Sequence, residues 1–122
     1  MADKKKGHSG RWRLIHGLYA CLILAVSSIP GPDLPESTGL VSDKVLHFGE
    51  YGLLGLLGGW AYLANRRRLW FLVLFGLAFG GLDELWQSYV PGRVFDFADY
   101  LADVAGYFVG ISAAAFLVKR FR

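Results

Sequence analysis

Four long apolar stretches alternate with polar or proline-rich ones along this chain. They run over residues 12–29, 44–63, 69–90 and 97–118, each near the ~20 residues that a helix needs to cross a ~30 Å hydrocarbon core. The link "ANRRR" (64–68) is short, which makes the second and third stretches an antiparallel hairpin. Pro30, Pro32 and Pro35 stop the first stretch and keep "SSIPGPDLPESTGLVSD" (27–43) irregular. Pro91-Gly92, within "VPGRVFDF" (90–97), signals a turn. The pattern predicts an all-α integral membrane bundle of four transmembrane helices. The first stretch, with its basic front "KKK" and small residues "AVSS", also fits a cleaved signal peptide. It is long for that role, and the topology below retains it.

Composition supports the membrane reading. Apolar residues make up 54% of the 122-residue chain and charged residues 19%, enough chain for one domain. The single cysteine, Cys21, excludes an intrachain disulfide framework. A net charge of +3 invites a nucleic-acid partner, but the basic residues lie between apolar runs and not along one solvated face, which excludes it.

The basic residues instead give an orientation. Lys4, Lys5, Lys6, Arg11, Arg13, Arg66, Arg67, Arg68, Lys119, Arg120 and Arg122 all fall on one side of a four-span arrangement. Lys44 and Arg93 fall on the other. Lys and Arg collect on the cytoplasmic side, so both termini are expected there, in a multi-pass protein of the bacterial inner membrane.

The polar residues inside the apolar stretches share one depth. On a helix, Asp43, His47 and Glu50 lie on one face, as do Asp83 and Gln87, Glu84 and Gln87, and Asp96, Asp99 and Asp103. At ~1.5 Å per residue, His47 and Glu50 lie roughly 6 and 10 Å past Asp43, and Asp83 and Glu84 about 10 Å before Val90. Three helices thus bring ionisable groups to the outer layer. Each charge costs roughly 2.5–3.5 kcal/mol at mid-bilayer, so these groups are expected to face one another or a wet cavity. Seven acids face two fixed cations, Lys44 and Arg93, with His47 as a third. Protons, a metal ion or a cationic ligand must meet the deficit. Glycines spaced four apart in "GLLGG" (55–59), "GLAFG" (76–80) and "GYFVG" (106–110) predict the close helix packing that joins the stripes.

With "DKVLHFGEYGLLG" (43–55), "DELWQSYVPGR" (83–93) and "DFADYLADVAGYFVG" (96–110), the sequence resembles the VanZ-like family of small bacterial membrane proteins. The family pattern maps onto Asp43, Lys44, His47, Asp83, Glu84, Gln87, Arg93, Asp99 and Gly106. Many members carry Asn where this chain has Asp103. The resemblance implies one VanZ-like membrane domain over residues 1–122 and a link to resistance against the glycopeptide teicoplanin. It implies no settled reaction.

Each candidate has a functional and a structural reading. His47, Asp83 and Glu84 are the catalytic candidates, for proton transfer or metal chemistry. Lys44, Gln87, Arg93 and Asp99 are the candidates for holding a substrate, with Arg93 able to grip a phosphate or to clamp Glu84 or Asp99. Asp43, Glu50, Asp96 and Asp103 are expected as the structural remainder of the polar cluster. Gln87 is expected to hold Asp83 or Glu84 by a hydrogen bond. No motif names a cofactor; His47, Glu50 and Asp83 are the metal candidates. Asp43 and Lys44 also fit an N-terminal helix charge and a snorkelling lysine. Trp12, Trp60, Trp70, Trp86 and Tyr89 fit an aromatic belt. Ser88 has no evident His partner, and phosphate loops, dinucleotide fingerprints and paired CxxC motifs are absent.

The expected partners are membrane lipids and an envelope lipid or lipid-linked precursor. Whether the protein is an enzyme, and its oligomeric state, stay open. One alternative is an accessory subunit whose polar cluster is a structural lock. Another is a proton or cation path, for which the inner halves of the spans offer no evident relay.

Overall fold

The computed structural model of the protein describes residues 2–34 and 43–120. Among these are four α-helices and no strand: α1 (Ala2–Ser27), α2 (Asp43–Tyr62), α3 (Arg66–Gln87) and α4 (Phe97–Arg120). One turn of 3-10 helix covers Gly31–Asp33. Pro35 and Arg122 lie outside the described residues, as do the side chains of Lys4, Lys5 and Lys6.

The helices depart from the apolar stretches at their ends, because hydropathy marks burial and not helix termini. α1 begins ten residues before Trp12 and includes the lysine run, whose straight side chains suit a helix. It ends at Ser27 because Ile29 precedes Pro30, and a residue before proline avoids helical backbone. α3 starts at Arg66 because Asn65 caps it, its extended backbone letting the side chain accept from the Arg67 N–H at 2.9 Å. It ends at Gln87, and Tyr89 and Val90 continue as a turn bonded back to Trp86 and Gln87. That turn reaches Pro91-Gly92, where Gly92 takes φ +75°. The Pro91 carbonyl accepts from the Gly31 N–H at 2.9 Å, which ties the segment after α1 to the segment before α4.

Successive helices alternate in direction, so α2 and α4 run parallel. They share the most extensive interface in the fold. Its basis is glycine. A Cβ at Gly55 would meet the Tyr107 carbonyl, one at Gly106 the Phe48 carbonyl, and one at Gly110 the Gly52 carbonyl. Gly55, Gly106 and Gly110 thus each lie against the backbone of the facing helix, while Gly59 rests on the Ala114 methyl. The third pair works differently: Gly76 and Gly80 receive the rings of Tyr107 and Tyr100.

The apolar core lies between these helices and α1, with Ile23, Tyr51, Leu54, Leu72 and Tyr107 buried. The outside is also apolar. Leu14, Leu18 and Leu22 form an exposed stripe on α1, and Trp70, Leu74, Leu101 and Phe116 are exposed on α3 and α4. α3 and α4 are long and apolar enough to cross a membrane.

Candidate functional site

At one end of the bundle the polar stripes meet. His47 of α2 faces Asp103 of α4, with Nδ1 2.8 Å from Oδ1. The same nitrogen lies 3.7 Å from Glu84 Oε1 of α3, and Nε2 lies 3.6 Å from Asp99 Oδ2. Glu84 and Asp103 are wholly buried. Three helices thus supply one cluster, as the spacing predicted.

Asp83 and Glu84 are adjacent, and about 100° separates neighbouring residues around a helix. They therefore serve different neighbours. Asp83 Oδ2 accepts from the Tyr51 hydroxyl of α2 at 2.7 Å. Glu84 Oε2 accepts from the Asp96 N–H at 3.2 Å, just before α4. Their other oxygens, Asp83 Oδ1 and Glu84 Oε1, are buried without a hydrogen-bond partner, as is Asp103 Oδ2.

Lys44 sits at the open edge of the cluster, bridging Asp96 Oδ2 at 3.1 Å and Asp99 Oδ1 at 3.0 Å. The ammonium hydrogen-bonded to it holds the Asp96 carboxyl below its ordinary pKa. Asp96 also receives the Ala98 N–H on Oδ1 at 2.8 Å, the geometry of a helix N-cap for α4. Asp43 is exposed at the start of α2, and Glu50 is half-buried one turn beyond His47.

Three expectations are corrected. Gln87 holds neither Asp83 nor Glu84: its Oε1 accepts from Arg93 Nη2 at 2.8 Å, and its Nε2 donates to Ser27 Oγ at 3.4 Å. Arg93 clamps neither Glu84 nor Asp99, because Gln87 and the Ile29 carbonyl draw it toward the end of α1. The metal candidates Glu50 and Asp83 are not the residues grouped with His47. Among the described residues that group is His47, Glu84 and Asp103, whose ligand atoms lie within 4.8 Å of one another. The i, i+3 spacing puts Glu50 on the face of His47 but cannot tell which helix lies opposite.

Three contributors have weak sequence signals. Tyr51 is one aromatic in an apolar run, and nothing in the spacing marks its hydroxyl as a partner for Asp83. Ser27, at the end of α1, supports Gln87. His16 is a buried histidine in the other half of the bundle, with its ring 5.2 Å from Phe75 and 5.7 Å from Tyr62. It is enclosed by apolar side chains, so it extends no relay from the cluster. The aromatic candidates divide. Trp70 and Tyr89 are exposed, Trp12 packs on Trp60 at 4.9 Å between centroids, and the Trp86 indole N–H donates to Ser28 at 2.9 Å.

Beside the Ser27–Gln87–Arg93 seam, an apolar groove of 540 Å³ lies between α1 and α3, lined by Leu24, Ala25, Leu82 and Leu85 among others.

The VanZ/LLP1 family model matches residues 10–119, which takes in α2 and α3 whole, most of α1 and α4, and every residue of the cluster. The chain belongs to the VanZ/LLP1 family. No curated protein and no solved structure matches it. Membership in VanZ/LLP1 and two helices able to cross a bilayer make this a membrane protein.

Proposed function

We propose that all four helices cross the bacterial cytoplasmic membrane with both termini inside, and that the cluster lies beneath the outer headgroups and binds or modifies an envelope lipid or lipid-linked precursor. The orientation rests on charge: Arg66, Arg67, Lys119 and Arg120 cap the end of the bundle opposite Lys44 and Arg93. The exposed leucine stripe of α1 supports its place in lipid beside α3 and α4.

One observation carries the function: a buried His–carboxylate cluster keeps unpartnered oxygens on Asp83, Glu84 and Asp103, and the outer face of the same α3 segment, through Leu82, Leu85 and Trp86, lines an apolar groove against α1. A cluster kept only for stability would be expected to pair its buried oxygens. An acyl or polyprenyl tail fits the groove. Arg93 has five N–H donors and spends two, leaving the guanidinium able to grip an anionic head. Lys44 adds a second cation, and His47 and Glu84 supply the proton-transfer groups.

Native mass spectrometry of the protein in detergent with a polyprenyl-diphosphate-linked precursor tests this. The wild type should retain the precursor, and Arg93→Ala should weaken binding at least tenfold, on the order of a lost charged contact. Equal retention by both, or equal displacement by a plain phospholipid, sinks the reading.

The Tyr51–Asp83 bond favours the accessory-subunit reading in part, since it is a buried lock between α2 and α3. The readings separate on His47→Ala. A working site loses its cellular readout, teicoplanin susceptibility for instance, while the protein still accumulates in the membrane. A lock loses the folded protein itself.

A further inference from the structure

We propose that His47, Glu84 and Asp103 hold a divalent first-row transition-metal cation, Zn²⁺ foremost. The inference rests on reading this cluster as a ligand site, but not on the orientation in the membrane or on an envelope substrate.

The geometry is close to what a cation requires. Donors about 2.0–2.2 Å from a tetrahedral Zn²⁺ lie roughly 3.3–3.5 Å apart. His47 Nδ1 lies 2.8 Å from Asp103 Oδ1 and 3.7 Å from Glu84 Oε1, on either side of that spacing. The ion takes the place of the proton between Nδ1 and Oδ1, and that pair opens by about half an ångström.

The second observation is the unpartnered oxygen. Glu84 is wholly buried, and its Oε2 is occupied by the Asp96 N–H. Its Oε1 has no hydrogen-bond partner and is the atom nearest His47. An ionised oxygen left so is costly in a dry site, and a cation removes that cost. Asp103 Oδ2 is buried and unpartnered beside it. Two carboxylates and a neutral imidazole carry a charge of −2, which a divalent ion cancels.

Asp99 completes the arrangement. Its Oδ2 lies 3.6 Å from His47 Nε2, on the far side of the ring. A proton held on Nε2 toward Asp99 leaves Nδ1 bare for the metal, the carboxylate–histidine–metal relation found at many such sites. The imidazole selects against Mg²⁺, which demands oxygen ligands and keeps its waters. Three protein donors leave a fourth position for water or a ligand oxygen.

The test uses the full chain, purified through a histidine-free tag, stripped with EDTA, equilibrated with Zn²⁺ alone and desalted for elemental analysis. The wild type and the control Asp33→Asn should each retain about one Zn²⁺ per chain. Glu84→Gln with Asp103→Asn should retain less than a tenth of that, and Asp99→Asn should bind about 10–100-fold more weakly. Should the double variant fail to fold, the visible spectrum of Co²⁺ bound to the wild type decides: a four-coordinate N/O spectrum supports the site, and that of the aqueous ion overturns it. Zn²⁺ retained equally by the folded double variant, no Zn²⁺ on the wild type, or displacement by equimolar Mg²⁺ also overturns it. A protein that binds Zn²⁺ but fails to retain the lipid precursor would sink the substrate reading alone, and one that retains the precursor but binds no Zn²⁺ would sink only this one.

Discussion

The Tyr51 hydroxyl donates to Asp83 Oδ2 at 2.7 Å, with both side chains buried, and so joins α2 to α3 beneath the polar cluster. Among the described residues Asp83 Oδ1 has no hydrogen-bond partner, so the Tyr51 hydroxyl is the side-chain donor that serves this carboxyl there. Removing the hydroxyl alone would leave the whole carboxyl unsatisfied. Tyr51→Phe is expected to destabilise the folded protein by about 1–3 kcal/mol, the usual cost of orphaning a buried polar group. Thermal unfolding in detergent checks this, and an unchanged midpoint would show that water already serves Asp83.

At the open edge, the Lys44–Asp96 pair gives a pH signature of known sign. Pairing lowers the Asp96 pKa in the folded state. The stabilisation is therefore complete above the ordinary aspartate value of about 3.9, and is lost as the pH falls through the lower folded value. The melting-temperature difference between wild type and Lys44→Met should stay level from pH 8 to about 5 and shrink below about pH 4. It should also shrink in high salt, because both side chains are substantially exposed. A difference that grew on acidification would contradict the pairing.

The glycines of the bundle are not equivalent, and substitution should separate them by sign. At Gly106 an added methyl would strike the backbone of Phe48, so Gly106→Ala should cost about 1–3 kcal/mol as α2 and α4 are forced apart. Gly49 has nothing within 4 Å of its would-be Cβ and lies inside α2. Gly49→Ala should be neutral or stabilise by up to about 1 kcal/mol, through helix propensity alone. Unfolding midpoints of the two variants report both signs, and destabilisation by both to the same degree would show that helix packing does not distinguish them.

Much of the fold was legible because apolar length and helical spacing are properties of single segments. The four helices, the close approach at glycine and the convergence of His47, Glu84 and Asp103 follow from them. Partner choice does not, since it depends on how each helix is rotated about its own axis. Spacing placed Glu50 beside His47, yet α4 turns Asp103 toward the ring and α3 adds Glu84. Spacing likewise kept Asp83 and Glu84 together, whereas they leave α3 in different directions, Asp83 to the Tyr51 hydroxyl and Glu84 to the Asp96 N–H and the His47 ring. Gln87 and Arg93 bond to each other because the turn through Gly92 folds Arg93 back over the end of α3, a path set by loop backbone that hydropathy does not record.

The central claim is that this shared cluster opens to the outside of the cell, and cysteine accessibility tests it most directly. In a Cys21→Ser background, Lys44→Cys marks the edge of the cluster and Asn65→Cys marks the opposite end of the bundle. With a membrane-impermeant thiol reagent on intact cells, Lys44→Cys should be labelled, and Asn65→Cys should react only after the membrane is opened. Labelling of Asn65→Cys from outside, with Lys44→Cys protected until permeabilisation, would contradict the claim.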